Sequence, residues 1–169
     1  MFKRILVPID GSTYAKRAIP IAIDVAQKFR SDVLVLHVSE HDSNLAAAYS
    51  PETAVALSPT TPDEASELIA DALKVIRAAG IYVRGELRDA AVGQVAKVIV
   101  ETANDNSSDL IVMGSRGLSD LKGLLLGSVT HKVIQLANIP VLVDSTHTVK
   151  ERSAFVASLA NMPVMRVAD

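Results

Sequence analysis

The sequence predicts an α/β fold, an open and mostly parallel five-stranded sheet with helices on both faces, and three observations lead there. Short apolar runs of strand length recur along the chain at Ile5–Val7, Val33–Val38, Leu110–Met113 and Val141–Val143. Between them, apolar residues return at three-and-four spacing, the period of amphipathic helices. The run at Leu110 then passes through a loop, Gly114-x2-Gly117-x9-Gly127-Ser128, straight into a helix. Strands alternating with helices imply right-handed crossovers and hence a parallel sheet.

The first strand, Ile5–Val7, is expected to stop at Pro8, after which Ile9-Asp10-Gly11-Ser12-Thr13 turns into a helix with Ser12 or Thr13 as N-cap. Asp10 thereby lies at a strand's C-terminal end. The helix carries Ala15, Ala18, Ile19, Ala22, Ile23, Ala26 and Phe29 on one face, and Pro20 is expected to kink it near its second turn. Val33–Val38 is apolar on both faces, as a central strand covered on each side should be. His37 and His41 share the i, i+4 spacing of a helical metal pair, but they leave a strand, so ordinary polar roles at a loop mouth are expected of them. Residues 42–60, rich in Ser, Thr, Ala and Pro, make a long connection of the kind that is usually mobile or functional.

Thr61-Pro62-Asp63-Glu64 combines an N-cap, a proline at the first helical position and the glutamate of a capping box. The helix it opens buries Leu68, Ile69, Ala72, Leu73, Val75 and Ile76, and Gly80 closes it. Ile81, Val83, Gly85 and Leu87 then alternate with Tyr82, Arg84, Glu86 and Arg88, the period of an edge strand with one wet face. Val92, Val95, Ala96, Val98 and Ile99 mark a third helix that ends in the polar run Asn104–Ser108. The helix after the glycine loop carries Val129, Val133, Ile134 and Ala137, and Asn138-Ile139-Pro140 breaks it before the last strand, Val141–Val143. Residues 1–144 read as one domain. The tail, 145–169, has Phe155, Val156 and Leu159 at the spacing of a helical turn before Pro163, and its structure stays open.

Composition narrows the function classes. With 17 basic and 19 acidic side chains in 169 residues the net charge is −2, which gives no basic footprint for nucleic acid. Cysteine is absent, so neither a disulfide framework nor a Cys-based zinc site is available. No stretch reaches the roughly 18 apolar residues of a membrane span, and Met1-Phe2-Lys3-Arg4-Ile5 passes straight into a strand without a signal-peptide core. A cytosolic protein that holds any anion locally is the expectation.

The glycine loop supplies such a place. Gly114 and Gly117 let backbone approach a ligand or adopt φ > 0, and Gly127-Ser128 opens a helix whose unpaired N–H groups and positive dipole end stabilise an anion. Ligands of doubly wound sheets bind beyond the strand C-termini, where strand order reverses. If the first strand and the Leu110 strand flank that point, the Asp10 and Gly114 loops converge on one nucleotide-sized cleft.

These residues carry a resemblance to the universal stress proteins: Ile5-Leu6-Val7-Pro8-Ile9-Asp10-Gly11-Ser12, Leu36-His37-Val38, Asp109 through Ser128, and Pro140-Val141-Leu142-Val143. The motif Gly-x2-Gly-x9-Gly-Ser/Thr, complete here, separates ATP-binding members from the others. The resemblance implies a Rossmann-like sheet of order 3-2-1-4-5, and a site in which Pro8, Ile9 and Asp10 border adenine and ribose. It places Val38 at adenine through its backbone, Met113 and Gly114 along the nucleoside, and Gly117, Gly127, Ser128 and Val129 at the phosphates. ATP, with magnesium carried by its phosphates rather than by side chains, is the implied ligand. Pro20, the proline-rich stretch at 50–62 and the tail depart from the family pattern.

A regulatory ATP-binding protein of the stress response, a sensor or adaptor toward a protein partner, is therefore expected. The alternatives are a slow ATPase and a partner-binding module that never meets nucleotide. Asp120, Lys122 and Arg116 are the loop charges available for phosphoryl transfer, yet they suit solvent equally well, and no Walker-type Gly-Lys-Ser/Thr or Gly-x-Ser-x-Gly elbow is present. A homodimer built along the last strand is also expected, because Val141, Leu142 and Val143 lack the charges that protect an exposed edge.

Overall fold

Residues 2–41, 61–117 and 126–144 are described by the computed structural model, so the 42–60 connection, Asp120, Lys122 and the tail lie outside the described residues. Strands β1 (Arg4–Ile9), β2 (Asp32–His41), β3 (Val83–Ala91), β4 (Leu110–Gly114) and β5 (Val141–Asp144) form one parallel sheet in the order β3-β2-β1-β4-β5. Helices α1 (Thr13–Phe29), α2 (Pro62–Ala78), α3 (Val95–Asp105) and α4 (Ser128–Leu136) alternate with them. None of these helices is long and apolar enough to cross a membrane.

Side-chain alternation along the central strands divides the core in two. Ile5, Val7, Val33, Val35, Leu110 and Val112 face α1 and α2, where Ala18, Ala22, Ile69 and Ile76 meet them. Leu6, Leu34, Leu36, Ile111 and Met113 face the other way, toward Ala96, Ile99 and Val100 of α3 and Val133 of α4. Both faces of β1, β2 and β4 are thus covered, which is why their sequences are apolar throughout rather than alternating.

The strands extend further than their apolar runs. Pro8, expected as a stop, lies inside β1 and pairs in register with Leu36. Arg4 O accepts from Asp109 N, so residues of that parity turn their backbone groups toward β4. Pro8 therefore aims its missing N–H at β4, beyond the last β1–β4 pair, Leu6 with Ile111, where no ladder bond is lost. β2 likewise runs on to His41 because β3 accompanies it to Ala91.

Helix ends follow the local signals. Ser12 Oγ accepts from Ala15 N at 3.1 Å to cap α1. α1 continues across Pro20, which is exposed, as a single 17-residue element. Thr61 and Glu64 form the full capping box of α2, with Thr61 N donating to Glu64 Oε2 at 2.8 Å and Glu64 N to Thr61 Oγ1 at 3.3 Å.

Several expected core positions are instead at the surface. Val75 is 52% exposed because the α2 stripe runs Ala65, Ile69, Ala72, Ile76, and Val75 stands roughly 100° off it. Leu87 is also exposed: α2 rests on β3 at Gly85, whose missing side chain leaves room for Ile69, and does not extend over Leu87. Val92 lies exposed in the turn before α3, whose buried stripe is Ala96, Ile99, Val100 and Ala103. Ile134 is exposed on α4, where only Thr130 and Val133 are buried.

Among the described glycines, the closest approach to another backbone is between β4 and α1. A Cβ on Gly114 would lie 2.6 Å from Tyr14 C and 2.9 Å from Ala15 N, both rigid backbone. Gly114→Ala is expected to cost about 1–3 kcal/mol by overpacking, read as a melting temperature lowered by several degrees; an unchanged melt would mean α1 is free to shift. A second prediction concerns acid. Glu64 is held below its ordinary carboxylate range by the Thr61 backbone N–H first and by the Thr61 side chain second. A depressed folded pKa contributes stability above the unfolded value and loses it as pH falls through the folded one. The thermal advantage of wild type over Glu64→Gln should therefore be present at neutral pH and vanish on acidification below the ordinary glutamate range.

Candidate functional site

Strand order reverses at β1: the chain proceeds outward to β2 and β3 on one side and to β4 and β5 on the other. At the C-terminal edge the neighbours then part company. Pairing of β1 with β4 ends at Leu6–Ile111, while β1–β2 pairing continues to Ile9–His37 and β2–β3 pairing to His41–Ala91. The parted strand ends open a cavity of about 360 Å³, bounded on the far side by the starts of α3 and α4. Pro8, Ile9, Asp10, Val38, Met113, Gly114, Gly117, Gly127, Ser128 and Val129 all line it. Leu36, Glu40, Val95, Ile99, Arg116 and Thr130 line it as well. Leu36 and Arg116 fall within the motif stretches and Val95 and Ile99 within a helical spacing, but of these only Arg116 is marked for ligand chemistry. Glu40 and Thr130 carry no such mark, although Glu40 could have been placed there from its two-residue offset to Val38 along an extended strand.

One end of the cavity is made of backbone. Gly127 is the N-cap of α4, with φ −71° and ψ 157°, and no side chain caps that helix among the described residues. Its own N–H is committed to Ser115 O at 2.8 Å, so the donors left at the helix start are the amides of Ser128, Val129 and Thr130. Thr130 Oγ1 donates to Gly114 O at 3.0 Å, which fixes this first turn against the end of β4. A helix start so placed suits an oxyanion.

The glycines of this loop serve close approach, not unusual dihedrals. Positive φ occurs at Gly11, Gly80 and Gly93, and not at Gly114, Gly117 or Gly127, which removes one of the two reasons expected for them. A Cβ on Gly117 would lie 2.6 Å from Asp10 Oδ2, and one on Gly127 would lie 3.2 Å from Arg116 Cα. The Asp10 carboxylate thus occupies the space that a side chain at 117 would need. Its other oxygen accepts from Ser12 N at 3.0 Å, binding the β1 loop to the start of α1. Arg116 donates to Tyr14 Oη at 3.2 Å, and its guanidinium lies 5.5 Å from the Tyr14 ring centroid.

The other end is apolar, walled by Leu36, Val38, Val95, Ile99 and Met113. His37 is buried, and its Nδ1 lies 2.9 Å from Ile9 O; a carbonyl only accepts, so Nδ1 carries the proton. His41 is exposed and pairs with Asp89 at 2.8 Å. The two histidines are thus engaged separately, and among the described residues no group of three or more metal-ligating side chains gathers.

Comparison with known proteins agrees with this fold. Residues 1–144 match the Universal stress protein family. Universal stress protein YxiE of Bacillus subtilis is 35% identical over 154 residues, covering 85% of this chain and 99% of that protein. Universal stress protein MJ0577 of Methanocaldococcus jannaschii is 33% identical over 160 residues, covering 85% and 94%. The solved structure of MJ0577 matches with a TM-score of 0.71 at 31% identity, over 85% of this chain and 95% of that one. A universal stress protein solved in complex with cAMP matches with a TM-score of 0.60 at 25% identity, over 87% and 98%. Likeness of this order across nearly the whole length of its relatives, on the same sheet, means that the chain belongs to the universal stress protein family.

Proposed function

We propose that the chain is a cytosolic regulatory protein that binds ATP in the cavity at the β1–β4 switch point and passes its nucleotide state to a protein partner. The observation that carries this reading is the uncapped start of α4: the amides of Ser128, Val129 and Thr130 stand at the cavity wall without a side-chain cap, opposite the bare backbone of Gly117. Buried or half-buried amides without a partner are costly, and a phosphate chain satisfies several at once. The apolar slot beside Val38 and Met113 suits a purine, and Asp10 at the strand end suits ribose hydroxyls, which a carboxylate accepts from. A near-neutral chain is consistent with a small anion held by amides rather than with nucleic acid. Magnesium would be carried on the phosphates, as the described side chains gather no ligand set for it. That a universal stress protein has been solved in complex with cAMP supports a nucleotide as the ligand. Incubation of purified protein with ATP, following bound nucleotide and released ADP, separates the regulatory reading from slow hydrolysis and from a module without nucleotide.

We also propose a homodimer along β5. This strand is an edge, and its Val141, Leu142 and Val143 are only half-buried. A two-fold partner strand would cover them and pair the open backbone edge. Sedimentation is expected to give a dimer at micromolar concentration; a monomer would leave the tail as the cover of this edge.

Gly117→Val should abolish ATP binding with the fold nearly intact. The new side chain would displace the Asp10 carboxylate and stand between the loop and the phosphates, removing charge-assisted hydrogen bonds of roughly 1.5–3 kcal/mol each. A loss of affinity of about 100-fold or more is expected, with little change in melting temperature, since the atom to be moved is the end of a side chain. Unchanged affinity in calorimetric titration of the folded variant would place the phosphates elsewhere.

A further inference from the structure

The glycine loop has few side chains with which to hold itself. Positions 114, 117 and 127 are glycines, and backbone without side chains is the freest a chain can have. Ser115 secures the loop through main chain, its N–H donating to Asp144 O at 2.9 Å and its C=O accepting from Gly127 N at 2.8 Å. Arg116 follows, and the space above Gly127 is bounded by its Cα at 3.2 Å and by Gly117 N at 3.6 Å. Where Arg116 is held therefore sets how Gly117 stands toward the start of α4.

The Arg116 side chain is held on α1. Its Nη1 donates to Tyr14 Oη at 3.2 Å, and its guanidinium carbon lies 5.5 Å from the centre of the Tyr14 ring, within reach of the negative face of the π system. A planar guanidinium stacks on such a ring as an ammonium does not. Tyr14 stands on a firmly fixed turn: Ser12 Oγ accepts from Ala15 N, and the backbone of Tyr14 and Ala15 lies against Gly114 with no room for a Cβ between them. A second guanidinium, that of Arg17, lies 5.7 Å from the same ring centre. The half-buried ring belongs to neither core cluster and does not line the cavity.

We propose that Tyr14 is a positioning residue for the phosphates of the bound nucleotide, acting through Arg116. The proposal rests on the nucleotide reading above and adds to it a residue outside the cavity lining. By tethering Arg116 to α1, Tyr14 holds Gly117 beside the start of α4 before any ligand arrives. Without the tether the glycine backbone regains freedom that binding must then remove, and preorganisation of this kind is read in affinity more than in the stability of the fold.

Calorimetric titration of the full chain with ATP tests the tether. Tyr14→Ala is expected to weaken ATP binding about five- to ten-fold, equivalent to about 1–1.4 kcal/mol, with little change in melting temperature because the ring lies outside both cores. Tyr14→Phe keeps the ring under the guanidinium and gives up only the hydroxyl, so its loss should stay below about three-fold. Because Tyr14 acts through Arg116, Arg116→Ala and the double variant Tyr14→Ala/Arg116→Ala should match Tyr14→Ala to within about two-fold, the non-additivity of two residues in one interaction. Unchanged affinity in Tyr14→Ala, no recovery in Tyr14→Phe, an additive loss in the double variant or a far larger loss in Arg116→Ala would overturn the proposal, the last showing that the guanidinium grips the phosphates directly. If wild type binds ATP and any of these results is found, the tether alone falls; if wild type binds no ATP, the nucleotide site falls and the tether with it.

Discussion

Four elements meet at Gly114. The end of β4 lies so close to the first turn of α1 that a Cβ there would be 2.6 Å from Tyr14 C. α4 is tied to the same residue by Thr130 Oγ1, and β5 is tied alongside through Ser115 N donating to Asp144 O at 2.9 Å. The contact needs a residue without a side chain, because the opposing atoms are backbone and cannot rotate away. With α1 brought this near, the Ser12 cap and the Asp10 loop are carried up against Gly117, and the two loops that follow β1 and β4 bound one cavity.

What the cavity offers to an anion comes mostly from main chain. Net charge is −2, so long-range attraction is weak, and the amides at the start of α4 have to act at contact distance. Gly127 contributes by being small: its own N–H is spent on Ser115 O, which folds the loop back and leaves the next three amides pointing outward. The charged lining residues Asp10, Arg116 and Glu40 each have a structural attachment, to Ser12, Tyr14 and Gly93 respectively, so each is positioned by the scaffold.

The two edges of the sheet are finished differently. On β3, Arg84 bonds Asn106, Arg88 bonds Glu86 and lies 3.9 Å from Asp105, and His41 of β2 pairs with Asp89. Exposed pairs of this kind contribute about 0–1 kcal/mol each, but the charges discourage another strand from adding to that edge. β5 carries no such charges on Val141, Leu142 and Val143. Of the two edges, β5 is therefore the less protected.

Fold class, strand and helix order, the Ser12 cap and the Thr61–Glu64 capping box were legible in the sequence, because each rests on neighbours within a few residues. The local pattern of a glycine-rich loop after an apolar strand placed the Asp10 and Gly114 loops at one edge, whereas the individual residues from Pro8 to Val129 that line the cavity were named by the resemblance to the universal stress proteins. The true ends of β1 and β2, by contrast, depended on which strand lay alongside: Pro8 is tolerated because its missing N–H faces a gap, and β2 reaches His41 because β3 goes with it. The exposure of Val75, Leu87, Val92 and Ile134 depended on how far each helix overhangs the sheet. Only the tertiary structure decided that the loop glycines serve close approach, and that Glu40 stands at the cavity, held by an amide 53 residues away. Periodicity and caps are short-range properties of the chain, whereas partners across a parallel sheet are separated by whole crossovers, and no local pattern records the distance between them.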